Sequence, residues 1–391
     1  MRKIAFALLG AMLAGTVASA ALAADKVKVG FLSTLSGPSA AIGLDIRDAF
    51  NLYIKTNGGK LGGLPVEVLF GDDQLNPDTG KQLTDKFLKK DRVDFVTGVV
   101  FTNVMLAVAP AVFAAKTHFI TANAGPAHFS GANCSPWLYS TAWQNDGAHE
   151  AGGKFSQDKG YKSIVLVAPN YPAGKDALTG FRRYYRGQII EEIYTKVGQL
   201  DYATEIAQIR VSKPQAAYVF LPGGMGINFI KQYVAAGLNK TIPLVGPGFI
   251  ADEDVIKAVG EPMVGMFNTS QWAHDLDNAA NKKFVADFQK EYGRMPTLYA
   301  SQGYDAAQLM DAAVRDVKGN IEDKAALSKA LKAANFKSVR GDFKYHVNNM
   351  PIQNFYLRQV VKEPSGRITN KLMGVVFKDH VDVYGQQCKL K

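Results

Sequence analysis

Cysteine is scarce: Cys134 and Cys388 are the only two in 391 residues. That excludes a disulfide-dense scaffold and any zinc centre built from four thiolates. Charged residues are few as well, at 20% against 47% apolar. Long disorder and collagen-like repeats are therefore excluded, and there is material for a sizeable core. Past the N-terminus, no apolar run is long enough to span a bilayer. Signatures of chemistry are also missing. There is no GxxxxGK[ST] phosphate loop. Gly224-Met225-Gly226 lacks the third glycine of a dinucleotide fingerprint. Gly37-Pro38-Ser39-Ala40-Ala41 only approaches a GxSxG elbow; Pro38 and the lack of a partner histidine make it a helix entry.

The six histidines, at 118, 128, 149, 274, 346 and 380, are scattered. Each is expected on a polar surface or loop. His149-Glu150 has no second histidine to complete a zinc-binding helix. Asp72-Asp73 reads as a strand-end turn rather than a metal site. No metal and no cofactor are expected, and the chain does not read as an enzyme. The balance of 45 basic against 35 acidic residues gives a formal charge of +10, spread along the chain. The densest pairs, Lys89-Lys90 and Arg182-Arg183, are expected on solvated faces. Without a basic helix or an aromatic-interleaved patch, nucleic acid is not an expected partner.

What the sequence does carry begins at its N-terminus. Arg2 and Lys3 precede an apolar stretch from Ile4 to Val17, and Ala21-Leu22-Ala23 forms an A-x-A site. This predicts a Sec-type signal peptide over residues 1–23, cleaved after Ala23, and export to the periplasm. No cysteine lies at the cleavage site, so a lipoprotein anchor is not expected. Export permits disulfides, and Cys134 and Cys388 are expected to pair; two free thiols are the alternative.

The length predicts two or three domains. Strands and helices alternate. Val27 to Ser33 reads as a strand, and Ile42, Ile46, Ala49, Phe50 and Tyr53 recur at helical spacing before Asn57-Gly58-Gly59. Pro65 to Phe70, Val93 to Thr97 and Thr117 to Thr121 are further strands. Asn76-Pro77 opens a helix carrying Leu83, Phe87 and Leu88. The pattern restarts with strands at Ser163 to Ala168, Ala216 to Leu221 and Pro243 to Val245, and helices through Phe181 and Ala236. Two α/β units with parallel sheets predict two lobes and a cleft between them. Open α/β sheets bind ligands beyond the carboxyl ends of their strands, which selects loops 36–43 (with Ile42), 98–103, 121–126, 168–174, 221–226 and 246–250. These loops are rich in hydroxyls and small residues. Phe101, Trp143, Tyr171, Phe249, Trp272 and Tyr299 offer apolar walls, and helix-opening loops offer N–H groups to a small anion.

The segments VKVGFLSTLSGPSAAIG (27–43), LPVEVLFGDDQLNPDTG, DFVTGVV, FITANAG, APNYPAGKDALTGF and VAAGLNKTIPLVGPG together resemble the periplasmic binding proteins of branched-chain amino acid ABC transporters. The resemblance covers nearly the whole chain after the signal peptide. It implies a type I periplasmic binding fold: two Rossmann-like lobes joined by a three-crossover hinge, with the ligand cleft between them. The first lobe would be 24–144 plus 272–354, the second 145–271 plus 355–391. It also implies capture of a small solute by lobe closure, delivery to the membrane permease of an ABC importer, and a monomer.

By that resemblance, Thr102-Asn103 and Asn123-Ala124-Gly125 match the loops that hold a ligand carboxylate. Gly125 stands where such proteins often have a threonine, and Asn123 is expected to substitute as a donor. Tyr171 and Tyr299 match aromatic positions facing the ligand. The run Gly246-Pro247-Gly248-Phe249 lacks the acid that amino-acid binders place after Gly-Pro to pair with the ligand ammonium. A supporting aromatic is missing near Pro222-Gly223. Asp252 and Glu253 read instead as the first turn of the next helix. The expected ligand is thus a carboxylate without an α-ammonium, with Gly248 leaving room for a flat ring beside Phe249: an aromatic acid of hydroxycinnamate or benzoate type. Alternatives are a hydrophobic or branched-chain α-amino acid, a periplasmic enzyme, and a ligand-presenting protein for a separate sensor.

Overall fold

A computed structural model describes residues 24–390. The expected signal peptide, 1–23, and its cleavage site lie outside the described residues. The first sheet is built from β1 (Val27–Ser33), β2 (Lys60–Leu61), β3 (Leu64–Asp72), β4 (Phe95–Thr97), β5 (His118–Thr121) and β6 (Leu138–Ser140). Its order is β2-β3-β1-β4-β5-β6, and all pairs but β2–β3 are parallel. The second sheet contains β7 (Ser163–Pro169), β8 (Gln188–Thr195), β9 (Ala216–Val219), β10 (Leu244–Pro247), β11 (Phe267–Ser270), β12 (Lys344–Tyr345), β13 (Pro351–Lys362) and β14 (Ile368–His380). Its order is β12-β13-β11-β10-β9-β7-β8, with β14 antiparallel to β13.

Eleven helices cover the sheets among the described residues: α1 (Ala40–Thr56), α2 (Pro77–Asp85), α3 (Thr102–Ala114), α4 (Gly147–Asp158), α5 (Pro172–Tyr184), α6 (Ala203–Ser212), α7 (Gly224–Ala235), α8 (Glu253–Val259), α9 (Ala279–Tyr292), α10 (Leu298–Asp316) and α11 (Lys324–Ala333). Helices α1, α9 and α10 pack together on the first sheet, whereas α4 packs on β10, β11 and β13. The chain passes from the first sheet to the second after β6, and after α9, α10 and α11 it enters the second sheet again at β12. No helix among the described residues is long and apolar enough to cross a membrane.

Local chemistry explains the elements. Ile164 to Ala168 is fully buried, as a parallel strand covered on both faces requires. The Asn76 side chain accepts from the N–H groups of Asp78 and Thr79, with Pro77 at the first helical position. Asp72 and Asp73 close the β3 turn: Oδ1 of each accepts a backbone N–H, from Gln74 and Leu75 respectively.

Several sequence-based expectations need correction. The helix opened at Pro77 stops at Asp85 and widens into a π-helical turn, Lys86–Asp91. The wider turn places Phe87 against Gly30, where a Cβ would lie 2.7 Å from its ring. Arg183 is not on a solvated face. It donates to Asp146, to Glu150 at 2.8 Å and to the Tyr384 hydroxyl at 2.7 Å. His118 and His149 are core residues rather than surface ones. Strand β8, helices α6, α9 and α11, and the β13–β14 hairpin were not legible, because they are amphipathic or half exposed and carry no continuous apolar run; α10 is buried along nearly its whole length but interleaves Ser301, Gln302, Asp305 and Asp311 with its apolar residues. Cys134 and Cys388 are bonded, with Cα atoms 5.7 Å apart.

Candidate ligand-binding site

A cavity lies between the lobes at the carboxyl ends of both sheets. Nine of the twelve residues expected at a site line it: Ile42, Phe101, Thr102, Asn123, Ala124, Trp143, Tyr171, Phe249 and Tyr299. Val100, Asn145, His149, Ala173, Phe220 and Pro222 complete the wall.

Three expected residues, Asn103, Gly125 and Gly248, do not line it. Asn103 points its Oδ1 into a buried position without a partner among the described residues. Gly125 donates its N–H to Asn145 Oδ1 at 3.0 Å. A Cβ at Gly125 would lie 2.0 Å from the Trp143 carbonyl oxygen, so a threonine has no space here. A Cβ on Gly248 would face Arg358, Leu298 and Ser270, with Arg358 Nη2 at 2.6 Å. Gly248 therefore makes room for a guanidinium, not for a ligand ring. Trp272, expected as a wall, is fully buried elsewhere, with Nε1 donating to Asn281 at 2.8 Å.

The wall is aromatic and contributed by both lobes. The Trp143 and Phe249 rings lie 4.7 Å apart, Phe249 and Tyr299 stack at 6.1 Å, and Phe101 meets Tyr171 at 6.4 Å. Two long helices open onto the cavity through their first turns, α3 at Thr102 and α5 at Ala173. Their N-cap residues, Phe101 and Tyr171, make no side-chain capping bond. The orphan N–H groups and positive dipole ends of these helices remain directed at the cavity.

Polar side chains are few and ordered. Asn145 donates to Thr102 Oγ1 at 3.2 Å and to Asp176 Oδ2 at 2.9 Å. Asp176, on α5, also accepts the Ala127 N–H of the first lobe at 3.3 Å, a bridge across the closed cleft. Burial pushes the Asp176 carboxyl up, opposed by the Asn145 hydrogen bond. Asn123 commits Nδ2 to the Val100 carbonyl oxygen at 2.6 Å, and its Oδ1 is buried without a partner among the described residues. It is thus not the free donor expected from the sequence. The Tyr299 hydroxyl is buried and similarly unpartnered, and burial pushes it well above the usual phenol range. His149 is fully buried, and desolvation holds its imidazole down to about 3.

No Asp, Glu, Lys or Arg lines the cavity among the described residues. The two acids that follow the Gly-Pro loop are engaged elsewhere. Asp252 stands at the start of α8, pairs with Arg358 at 3.3 Å and accepts the Leu298 N–H at 2.5 Å. Glu253 accepts from Thr369 and from the Asn370 N–H. His149, Asn145 and Phe220 were missed because they sit outside the loops selected by strand ends or carry no motif. The one available signal was the position of Asn145 and His149 at the first crossover.

A model of the periplasmic binding protein family matches residues 26–366. Leu/Ile/Val-binding protein homolog 6 of Brucella melitensis is 30% identical over 380 residues, covering 95% of this chain and 96% of that protein. An ABC-transporter solute-binding protein from R. palustris, crystallised with benzoate, is similar at TM-score 0.87 and 33% identity, covering 92% of this chain and 98% of that one. A second, from Rhodopseudomonas palustris BisB5 with 3,4-dihydroxybenzoic acid, is similar at TM-score 0.85 and 30% identity, covering 92% and 99%. The chain belongs to the periplasmic binding protein family, as a solute-binding protein of the branched-chain amino acid ABC transporter group, and is not an enzyme.

Proposed function

We propose that this protein traps a small aromatic carboxylate, of benzoate or hydroxycinnamate type, and delivers it to the permease of an ABC importer. The observation that carries this is the wall of the cavity: aromatic from both lobes, with no charged side chain among the described residues. An ammonium group closed into it would lack a counter-charge, at a cost of several kcal/mol. A carboxylate is served by the Thr102 hydroxyl and the uncapped first turns of α3 and α5. Phe101, Trp143, Tyr171, Phe249 and Tyr299 cover the ring. The benzoate and dihydroxybenzoate bound by two similar proteins support the same ligand class.

In this reading the signal peptide, 1–23, exports the chain to the periplasm, where it acts as a monomer. The lobes are 24–144 plus 272–354 and 145–271 plus 355–391. Ligand binds the first lobe at Thr102 and Ala124, and the second lobe rotates to bring Tyr171 and Phe249 over it. The alternative, a hydrophobic α-amino acid, has the printed name of the Brucella relative in its favour.

A thermal-shift panel pairing each acid with its amino-acid counterpart separates the two: cinnamate and phenylpropionate against phenylalanine, and 4-methylpentanoate against leucine. Ligand at a hundred times Kd adds about 2.7 kcal/mol to stability. Stabilisation by the acids alone is expected. Stabilisation by leucine or phenylalanine overturns the carboxylate-only reading.

A further inference from the structure

On the second-lobe side of the cavity Asn145 is already bonded to Thr102 and Asp176, and a second fixed hydrogen-bonding group, His149, stands among aromatic rings. His149 sits in the first turn of α4, which packs on the second sheet. Its ring is held between Phe220, at 4.8 Å, and Phe249, at 5.9 Å. Its Nδ1 meets the Tyr218 hydroxyl at 2.8 Å. Tyr218 is on β9, fully buried, and does not line the cavity. Gly152, one turn along α4 from His149, admits the Tyr218 phenol: a Cβ there would lie 2.5 Å from the ring.

This arrangement determines the tautomer. Both groups are neutral in so dry a setting: burial holds His149 down to about 3 and pushes Tyr218 well above its usual range. The only partner of the Tyr218 hydroxyl among the described residues is His149 Nδ1. A buried O–H left without an acceptor is costly, so the phenol donates and Nδ1 accepts. The imidazole proton is then on Nε2. That atom has no hydrogen-bond partner among the described residues and belongs to a side chain that lines the cavity.

We infer that His149, aligned by Tyr218 as a positioning residue, is a specificity-determining donor that selects aromatic acids bearing an oxygen substituent on the ring. The inference rests on the aromatic-carboxylate reading. The carboxylate end belongs to the first turn of α3 in the first lobe, and the Nε2–H meets the ring substituent from the second lobe. An unsubstituted or methylated ring leaves that N–H buried and unpaired. Such a donor rejects ligands lacking an acceptor more strongly than an apolar wall can reject an added methyl.

The test measures Kd by calorimetry for near-isosteric pairs, 3- and 4-hydroxybenzoate against 3- and 4-methylbenzoate. Wild-type protein is expected to favour one hydroxy acid over its methyl partner by roughly tenfold, the worth of one buried hydrogen bond. His149→Phe should abolish or invert that ratio. His149→Gln, which keeps an N–H, should retain part of the ratio. Tyr218→Phe leaves the imidazole in place but frees its tautomer, and should lower the ratio by several-fold. The ratio is internal to each variant, so a loss of overall stability does not mimic the effect. An unchanged ratio in His149→Phe, or equal binding of both acids by wild type, overturns the role of His149 alone. Failure of every aromatic acid to bind wild type overturns the carboxylate reading and this inference with it.

Discussion

Asp252 and Arg358 form an ion pair at 3.3 Å in which both side chains are 1% exposed. The guanidinium also donates to Asn268 at 2.8 Å and to the Trp272 carbonyl oxygen at 3.2 Å. Its Nη2 lies in the space that a side chain on Gly248 would need. The pair joins α8 to the second sheet and, through the Leu298 N–H, to the start of α10. One arrangement thus accounts for two features of the site. The acid beyond the Gly-Pro loop is neutralised away from the cavity, and Gly248 has to be a glycine.

Breaking this pair from one side should cost far more than removing both charges. Arg358→Met leaves Asp252 buried without compensation and is expected to lose about 3–5 kcal/mol. Adding Asp252→Asn should recover a large part of that loss. Urea unfolding of the two single variants and the double variant measures the coupling. Loss of less than 1 kcal/mol in Arg358→Met would show that the pair holds nothing.

Closure has its own test at Gly224. This residue opens α7 in the second lobe, and a Cβ there would lie 2.6 Å from the Pro38 carbonyl oxygen of the first lobe. That contact exists only with the lobes together. Gly224 is the first residue of α7 and has no positive φ, so alanine fits its backbone. Gly224→Ala should therefore keep or slightly raise the Tm of ligand-free protein while weakening ligand binding by roughly tenfold or more. A variant that binds as tightly as wild type would mean that Pro38 and Gly224 do not meet in the liganded state.

Trp143 should report the same movement. It lines the cavity 4.7 Å from Phe249 of the opposite lobe, whereas Trp272 is sealed against Asn281. Ligand at saturation is expected to change the emission of wild type and of Trp272→Phe, but not that of Trp143→Phe. A full response in Trp143→Phe would remove Trp143 from the closing contact.

The legible parts of the molecule were those where backbone requirements dominate. The run Ile164 to Ala168 reads directly because a parallel strand buried on both faces is apolar throughout. Asn76-Pro77 reads directly because a helix start needs an acceptor and tolerates proline. Ring positions at strand ends, such as Tyr171 and Phe249, followed from where open sheets bind ligands. Illegible were residues whose role depends on a distant partner. Gly248 looked like ligand space until Arg358, far along the chain, was found in it. Arg183 looked solvated until Asp146, Glu150 and Tyr384 converged on it. His149 carried no motif, because what aligns it is a phenol on another strand.

The buried histidines also predict how stability depends on pH. His118 is fully buried, its Nε2 meets Ser328 Oγ at 2.8 Å, and desolvation holds its imidazole down to about 3. An imidazole lowered in the folded state binds its proton first in the unfolded chain. Its contribution to stability is therefore complete above about pH 6.5 and is lost as the pH falls from there towards 3. Each pH unit in that window removes about 1.4 kcal/mol per histidine. Buried acids such as Asp45 and Asp146, both raised to about 6 by burial, oppose this trend in the intact protein. The comparison that isolates His118 is therefore with His118→Gln, which keeps a hydrogen-bonding group for Ser328 and does not titrate. Urea unfolding at pH 7 and pH 4.5 should show wild type losing about 2 kcal/mol more than the variant on acidification. An equal loss in both would mean that His118 takes up its proton without leaving the fold, and that the packing around Ser328 opens to admit it.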